Sequence, residues 1–519
     1  MSRTNVLVVG AGPTGLTLAI ELASRGVPVR IIDKSPEHFA GSRGKGLAPR
    51  SREVLDNLGI IEKMDRAGWS NLILRRWVNG ELVANAPQRE NVDPQPGIPY
   101  PSGILIAQWR VEEVLREKLA EFGVSVELGS ELTGFVQSAD AVTATLASGA
   151  EVVADYLVGC DGGRSIIRKS VNATFEGESG PQGMLVGDVR VEGLEPDAWY
   201  MWTDTSKGFV ALCPFRDWSG WQFQAVRVTD FDENGELPPP TIELFQDILN
   251  DIAGRQDVTL SGATWLSTYR VNVRMAEQFR FDRVFLAGDA AHVHPPAGGL
   301  GMNTGIQDAH NLGWKLALVL SGKADDALLD TYGAERVPVA KWTLGVSANE
   351  LRVIADALTA ETNKERDGFR PRAELQQGQL ALGYEWSPLA KTLVERQEGA
   401  PKAGDRAPDS PCQTATGAPM RLFDAFRQSG FTLLGFGAET GDAIDAVVAK
   451  HGDIAIGRLV DKTPESTVDI VDVDGHAYRE YAVTEPTLFL IRPDGHIGVI
   501  ADPAQGGAVL DYLADLGKN

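Results

Sequence analysis

The stretch NVLVVGAGPTGLTLAIELASRGVPVRIID, from Asn5 to Asp33, carries the spacing that decides the fold. An apolar run enters the glycines Gly10, Gly12 and Gly15, and a helical pattern then leads to a second strand that ends in an acid. The glycines suit a tight turn, the approach of a pyrophosphate and helix packing, and the acid suits ribose hydroxyls. A lone GxGxxG is weak evidence, but here its whole context follows in order. The stretch predicts a Rossmann-type dinucleotide-binding unit.

A second informative segment is VFLAGDAAHVHPPAGGLGMNTGIQDAHNLGWKLA, from Val284 to Ala317. Its first strand leads to Asp289, whose carboxylate can accept a hydrogen bond from a ribitol or ribose hydroxyl. Gly298, Gly299 and Gly301 leave backbone amides unobstructed before a long helix, and such helix ends receive anions or the edge of a cofactor ring. Alone, the segment could be a strained loop with another purpose. Its pairing with the first stretch favours a cofactor site.

A third segment, LVGCDGGRSIIRKSV, brings Asp161 and Gly162 to a turn after a short apolar strand. Arg164 and Arg168 stand at the start of the following helix. Asp-Gly is common turn chemistry, so the segment by itself is equally compatible with an ordinary turn capped by Ser165. In company with the other two motifs, the functional interpretation is favoured.

Together the three motifs resemble those of the single-component FAD-dependent aromatic hydroxylases, a group that includes p-hydroxybenzoate hydroxylase, phenol hydroxylase and the aromatic polyketide hydroxylases. The resemblance implies that the first motif binds the ADP half of FAD, the Asp-Gly motif lies near the pyrophosphate, and Asp289 holds the ribitol. Arg43 and Gln108 resemble the family's flavin-contacting Arg and Gln. The residues implied to bind the cofactor are Gly10, Gly12, Pro13, Gly15, Asp33, Arg43, Gln108, Asp161, Gly162, Asp289, Pro296, Gly299, Leu300, Gly301, Met302 and Asn303.

The resemblance also implies a reaction. NADPH or NADH reduces FAD, O2 then gives a flavin C4a-hydroperoxide, and its distal oxygen passes to a phenolic or polycyclic aromatic ring. The cofactor supplies the chemistry, with the backbone of Pro295 and Pro296 near the flavin edge, and the protein supplies orientation and a dry cavity. A base that helps to ionise the phenol is expected. The sequence does not choose among His292, His294, Arg216, Asp217 and Tyr269.

Other activities on the same scaffold stay open. A Baeyer-Villiger or epoxidising monooxygenase that acts on a polyketide-type substrate uses the same flavin chemistry with a different substrate placement. A halogenase is disfavoured because the Trp-x-Trp-x-Ile-Pro signature is absent. A flavin-binding assembly partner without catalysis is a further alternative, and FAD binding without substrate-stimulated NADPH oxidation would favour it.

The middle of the chain, from about 175 to 275, alternates apolar and polar residues in short stretches such as GFVALCPF and GWQFQAVRV. This pattern is typical of an antiparallel sheet with one covered face. In the family such a sheet covers the flavin, and flat rings suit an aromatic ligand. We therefore expect a large, mostly apolar pocket between sheet and flavin, lined by Trp202, Phe209, Trp221, Phe223 and Tyr269.

The tail has a pattern of its own. FTLLGFG and PTLFLIRPDGHIGVI predict strands with a hairpin turn at Asp494-Gly495, and AGDAIDAVVAKHG predicts a helix between them. This resembles the thioredoxin-like domain at the C-terminus of some family members, with Pro486 in the place of that fold's cis-proline. No cysteine follows Cys412, so the dithiol is missing and the expected role is stability or dimer contact.

The predicted fold is α/β: a Rossmann-type FAD-binding domain with an interleaved antiparallel-sheet substrate domain and a C-terminal thioredoxin-like α/β domain. At 519 residues the chain is too long for a single core. The expected division is an FAD-binding domain at 1–174 and 276–358, a substrate-binding sheet domain at 175–275, a helical linker at 359–402 and a thioredoxin-like domain at 403–519.

Composition excludes several classes of function. The chain has 71 Asp plus Glu against 49 Lys plus Arg, so clustered positive charge for nucleic acid or an anionic membrane is not expected. Cys160, Cys213 and Cys412 are far apart, which suggests neither a disulfide framework nor a zinc site. The first strand begins by residue 5 and no run of 18 apolar residues occurs. We expect a cytoplasmic protein, with a homodimer left open.

Overall fold

The computed structural model describes residues 2–88, 92–216, 219–227, 238–294, 299–359, 379–427, 430–464 and 467–518. In these ranges helices and strands alternate, as predicted for an α/β fold, and the strands form three large sheets and one small ribbon. The α-helices are Pro13–Ser24, Pro49–Asn57, Ile61–Ala67, Gln108–Ala120, Ile166–Ser170, Ile242–Ala253, Gly301–Leu320, Asp330–Thr359, Leu422–Phe426, Gly441–His451, His476–Glu480 and Gly506–Ala514.

The first sheet is the parallel core that the opening glycine stretch predicts. Strand Ser2–Val9 lies between Val29–Ile32 and Glu151–Gly159 and pairs in parallel with both. Its residues from Val6 to Val8 are fully buried, because the faces of a parallel sheet are covered by crossover helices. In spatial order the strands are Arg280–Phe281, Val284–Leu286, Glu151–Gly159, Ser2–Val9, Val29–Ile32 and Val126–Glu127, and Val142–Leu146 and Leu132–Gln137 add a hairpin beside Glu151–Gly159.

The second sheet confirms the antiparallel pattern predicted for the middle of the chain. It also recruits strands from outside that region, since Ile73–Val78 pairs in parallel with Ala198–Asp204. The alternating pattern of the middle residues gives no sign of this long-range pairing. In spatial order the strands are His292–Val293, Thr259–Met275, Glu176–Glu192, Trp221–Arg227, Gly208–Pro214, Ala198–Asp204, Ile73–Val78 and Glu81–Pro87.

The third sheet has the thioredoxin-like order expected for the tail. Strand Phe431–Phe436 leads through a helix to the parallel strand Ala455–Asp461, and an antiparallel hairpin turns at Asp494-Gly495 as predicted. Pro486 directly precedes strand Thr487–Ile491, the place expected for it, and the peptide bond before it is trans. In spatial order the strands are Lys391–Thr392, Ile497–Ala501, Thr487–Ile491, Phe431–Phe436, Ala455–Asp461, Ile470–Val471, Pro411–Thr414 and Pro419–Arg421.

A buried ionic network, consisting of Lys315, Glu335, Arg492 and Asp494, joins the third sheet to two helices of the first. The Arg492 guanidinium donates to both Glu335 oxygens at 2.6 and 3.0 Å and to Asp494 Oδ2 at 2.5 Å. Lys315 Nζ donates to Glu335 Oε2 at 2.7 Å. Although burial opposes ionisation, Arg492 and Lys315 hold the pKa of the Glu335 carboxyl well below its usual range. The network therefore fixes the tail against the main body through paired charges.

The small ribbon pairs Gly46–Leu47 with Ile104–Leu105. It lies where the segment from 41 to 48 passes between the first and second sheets, as hydrogen bonds to Asn303 and to Gln224 show. Among the described residues, none of the helices has the length and apolar character needed to cross a bilayer.

Candidate active site

The glycine turn after strand Ser2–Val9 is built for close approach. Gly10 has φ +103°, and a Cβ atom there would lie 2.3 Å from the Cys160 carbonyl oxygen. A Cβ atom at Gly15 would lie 2.0 Å from the Gly10 carbonyl oxygen, which explains why both positions require glycine. Gly12 differs, because a Cβ atom there would meet no protein atom within 4 Å. Packing within the protein therefore does not require a glycine at position 12.

Asp33 and Pro13 complete this turn. Asp33 Oδ2 accepts a hydrogen bond from the Ala11 amide at 2.8 Å, and Oδ1 accepts one from the Ser35 amide at 2.8 Å. Pro13 is the first residue of helix Pro13–Ser24, a position where a missing N–H costs nothing. The structure thus places the acid beside the glycine turn, as the motif requires.

The Asp161-Gly162 turn lies next to the glycine turn, since it follows the neighbouring parallel strand Glu151–Gly159. Gly162 has φ +78° and no protein atom near the position of a Cβ. Asp161 Oδ2 accepts from the Ile166 amide at 2.8 Å, whereas Oδ1 is buried without a hydrogen-bond partner. Ser165 Oγ accepts a hydrogen bond from the Arg168 amide at 2.9 Å, so Ser165 caps the helix as expected for an ordinary Asp-Gly turn. The same turn leaves Asp161 Oδ1 available to accept a further hydrogen bond.

Asp289 follows Val284–Leu286, the strand on the other side of Glu151–Gly159. Its side chain is exposed, yet the surrounding protein raises the pKa of its carboxyl by desolvation, which is the situation of a group lining a deep cleft. A Cβ atom at Gly301, the first residue of the long helix, would lie 4.0 Å from Asp289 Oδ1. The carboxyl ends of three adjacent parallel strands thus carry the three motifs along one edge, where α/β sheets bind their ligands.

The segment from 43 to 48 passes close to this edge. The Gly44 amide donates to Gln108 Oε1 at 3.1 Å, and the Ala48 amide donates to Asn303 Oδ1 at 2.8 Å. Asn303 Nδ2 donates in turn to the Gly46 and Gly299 carbonyls at 3.0 and 2.7 Å. The structure therefore brings together Gln108, Asn303 and Gly299, which are far apart in sequence, around one short segment.

The remaining residues that were predicted to bind the cofactor differ in their exposure and in their contacts. Arg43 is exposed, with its guanidinium carbon 5.2 Å from the Phe39 ring centroid. Met302 approaches Gly44, 3.9 Å from the position of a Cβ, and Leu300 is buried before the long helix. Gly299 has φ +64° and open space around it. Pro295, Pro296, Ala297 and Gly298 lie outside the described residues.

The second sheet corrects the pocket prediction. Trp202, Trp221 and Phe223 are buried in a core against helix Ile242–Ala253, with 4.6 Å between the ring centroids of Phe223 and Phe245. They therefore point away from the cofactor side. Phe209 lies on the opposite face, in a cluster with Met184, Met201, Ala211, Val226, Leu74 and Trp199. The Tyr269 side chain lies outside the described residues.

Sequence reasoning missed a polar chain behind Asp289. His292 Nε2 bonds to Asp308 Oδ2 at 2.6 Å, and His292 Nδ1 bonds to His294 Nε2 at 2.8 Å. Arg336 Nε donates to Asp308 Oδ1 at 2.7 Å. Although burial opposes it, Arg336 and His292 lower the pKa of Asp308 to about 2, so this carboxylate is ionised. These hydrogen bonds fix the orientation of the residues that follow Asp289. The one signal for them in the sequence was the His-x-His motif from His292 to His294.

The other candidate bases are placed less favourably. Arg216 donates to the Gly68 carbonyl at 3.0 Å and is exposed, while Asp217 lies outside the described residues. In the part of the chain that the structure describes, no group of three or more His, Cys, Asp or Glu side chains could hold a metal ion.

Comparison with known proteins identifies this geometry. A family model described as an FAD binding domain matches residues 3–346, and one described as the C-terminal part of aromatic-ring hydroxylases matches residues 400–515. A flavin-dependent monooxygenase of Mycobacteroides abscessus is 40% identical over 98% of this chain and 99% of its own length. Pentachlorophenol 4-monooxygenase of Sphingobium chlorophenolicum is 33% identical, over 98% and 96% respectively.

Solved structures agree with these relatives. The ternary complex of aklavinone-11 hydroxylase with FAD and aklavinone is 26% identical, with a TM-score of 0.78 and all of both chains covered. An anhydrotetracycline hydroxylase from Streptomyces rimosus is 29% identical, with a TM-score of 0.76 and 99% of both chains covered.

Proposed function

The chain belongs to the family of FAD-dependent aromatic-ring monooxygenases, and we propose that it hydroxylates a phenolic or polycyclic aromatic substrate with NADPH or NADH as the reductant. The observation that carries the proposal is the alignment of three motifs at the carboxyl ends of adjacent parallel strands. O2 is the co-substrate in this proposal. The three cysteines are free, which suits a reducing cytoplasm.

The residues at this edge fit FAD. Gly12, Gly162 and Gly299 leave open space where a side chain would stand, which suits the close approach of a phosphate or ring to the backbone. The buried and unpaired Asp161 Oδ1 and the exposed Asp289 carboxylate can accept hydrogen bonds from cofactor hydroxyls. We assign the ADP part to the turn at Gly12 and Asp33, and the ribitol to Asp289.

Bound FAD would supply the chemistry of O2 activation and oxygen transfer. The protein's own residues then position the cofactor and the substrate. Gln108 and Asn303 hold the segment from 43 to 48 rigid through backbone hydrogen bonds, so its carbonyl and amide groups keep fixed directions. The second sheet covers this segment and helps to exclude water, which protects a reactive intermediate from side reactions.

The proposal is tested by the rate at which NADPH and NADH reduce the bound flavin. Anhydrotetracycline, aklavinone and pentachlorophenol, which the relatives' names provide, form a first panel. We expect at least one of them to accelerate reduction about tenfold or more, equivalent to ~1.4 kcal/mol of barrier. Full FAD content with no acceleration by any aromatic compound would favour a flavin-binding protein without catalysis.

Replacing Asp289 by Ala should weaken FAD binding. Among the described residues its carboxylate forms no hydrogen bond, so its removal should not disturb the protein itself. The loss of one charged hydrogen bond is worth ~1.5–3 kcal/mol, so the dissociation constant should rise about tenfold or more. Equilibrium dialysis against FAD measures this, with Asp140→Ala in an exposed turn as the control. Unchanged affinity in Asp289→Ala would contradict the ribitol assignment.

A further inference from the structure

The face of the second sheet that looks away from helix Ile242–Ala253 is half apolar and half polar. Trp199, Met201 and Phe209 supply its apolar part. Gln222 and Gln224 alternate with core residues along strand Trp221–Arg227 and therefore point to this same face. Gln222 Nε2 donates to the Ser42 carbonyl at 2.5 Å, so the face lies directly against the segment from 41 to 48. Aromatic and hydrogen-bonding groups thus lie side by side next to the proposed flavin site.

Lys45 projects from that segment onto this face. Its Nζ donates to Gln224 Oε1 at 2.7 Å and lies 4.0 Å from the centroid of the Trp199 ring. Its own backbone carbonyl accepts from the Ile106 amide at 3.0 Å, which fixes the point from which the side chain extends. The neighbouring Gly44 and Gly46 are the residues bonded by Gln108 and Asn303. Lys45 as a whole is partly exposed, whereas its ammonium group is desolvated by the protein around it.

Buried polar atoms surround the base of this lysine side chain. They are the Asp188 carboxylate oxygens, Gln222 Oε1 and Ser42 Oγ, and a hydrogen bond from Ser42 favours the charged form of Asp188. Burial lowers the pKa of Lys45 to about 8, while the neighbouring Cys213 and Asp188 oppose that shift. Burial raises the pKa of Asp188 to about 7. Buried groups with perturbed pKa values are concentrated at functional sites, and these two lie beside the proposed flavin site.

The ammonium has three N–H donors, and Gln224 occupies one of them. The remaining donors need an acceptor, and the partly exposed Trp199 ring favours a flat apolar body beside it. Met201 and Phe209 are buried behind this ring and support it. An aromatic ring that carries an acidic hydroxyl combines the two properties. A carboxylate or phosphate alone would satisfy the ammonium but make no use of the Trp199 ring.

We propose that Lys45 binds the acidic ring oxygen of the substrate, a phenol or enol, and so selects ionisable aromatic compounds and orients the ring beside Trp199. This inference rests on the proposed function. Asp188 acts through Lys45 as a positioning residue, since its charge favours the ammonium form and holds it at this place on the sheet. Binding of the anionic oxygen gives a charge-assisted hydrogen bond in a poorly solvated site, where such bonds are strong.

The test uses the FAD-loaded protein and equilibrium dialysis of two probes, pentachlorophenol and its methyl ether. Chlorine substituents leave the phenol ionised at neutral pH, whereas the ether has the same flat body and no acidic oxygen. We expect wild type to bind the phenol about tenfold or more tightly than the ether. Lys45→Met should lose about tenfold in affinity for the phenol and less than about threefold for the ether, and Lys45→Arg should recover part of the loss. Lys207→Met, at an exposed lysine in the turn between two strands of the same sheet, should behave as wild type.

Equal affinity of wild type for the two probes, or failure to bind either, would overturn the proposal. So would a Lys45→Met protein that keeps the preference for the phenol. If Lys45→Met does not fold, the comparison of the two probes on wild type and on Lys45→Gln still decides the outcome. Flavin content and NADPH oxidation are measured separately. Their failure would contradict the proposed function, while dialysis reports on Lys45 without requiring turnover.

Discussion

Gly12→Val should yield a folded protein that no longer holds FAD. Gly12 has φ −75°, which any residue adopts, and a Cβ atom there meets no protein atom within 4 Å. The valine methyl groups would instead fill the space assigned to the pyrophosphate. We expect the dissociation constant for FAD to rise at least about a hundredfold, equivalent to ~2.7 kcal/mol, with the unfolding transition of the flavin-free protein unchanged.

Two further glycine variants serve as controls for this prediction. Gly134→Val, at another glycine with open space around it, should keep both the fold and FAD. Gly15→Val should impair folding itself, because its Cβ would collide with the Gly10 backbone at 2.0 Å. Bound flavin is read from the visible absorbance after gel filtration, and folding from circular dichroism. A yellow Gly12→Val protein with normal FAD content would contradict the placement of the pyrophosphate.

Arg492→Met should destabilise the protein strongly. Glu335 and Asp494 are buried, and without the guanidinium they would keep their charges with Lys315 as the nearby cation. Breaking a buried pair by removal of one partner costs ~3–5 kcal/mol, because the other charge stays desolvated. In urea denaturation, we expect the midpoint of the first unfolding transition to move to a clearly lower urea concentration. Limited proteolysis should release the C-terminal tail earlier than in wild type.

Arg255→Met provides the matched control, since Asp257 in the Arg255–Asp257 pair is exposed and such surface pairs contribute little to stability. The network also predicts a pH dependence. The pKa of Glu335 is lower in the folded protein than in the unfolded chain, so its contribution is complete above the ordinary carboxyl pKa. It should decline as the pH falls below about 4.5, toward the folded value. A stability of Arg492→Met equal to wild type at neutral pH would contradict this role of the network.

The glycine turn was predictable because its reasons are local. The positive φ of Gly10 and the collision at Gly15 follow from one strand, one turn and one helix that are consecutive in sequence. The same holds for the hairpin at Asp494-Gly495, where turn residues stand between two apolar runs. Local spacing also placed Asp289 after its strand, although the sequence alone could not bring it next to the Asp161 turn.

The pocket prediction failed for Trp202, Trp221 and Phe223 because alternation along a strand tells which residues share a face and not which face meets the cofactor. Trp221 and Phe223 share one face, and helix Ile242–Ala253 covers it. Lys45 and Gln224 are 179 residues apart, and Arg492 and Glu335 are 157 residues apart. Pairings over such distances depend on how the sheets pack together, for which a single sequence carries no periodic signal.

The proposed reaction is the insertion of one oxygen atom from O2 into an aromatic substrate. It is tested most directly by turnover with NADPH under isotopically labelled O2, using the compound of the panel that best accelerates flavin reduction, with mass spectrometry of the product. We expect a product that carries a single labelled oxygen atom on the ring, formed in proportion to the NADPH consumed. NADPH oxidation that yields only hydrogen peroxide, or a product without label, would contradict it.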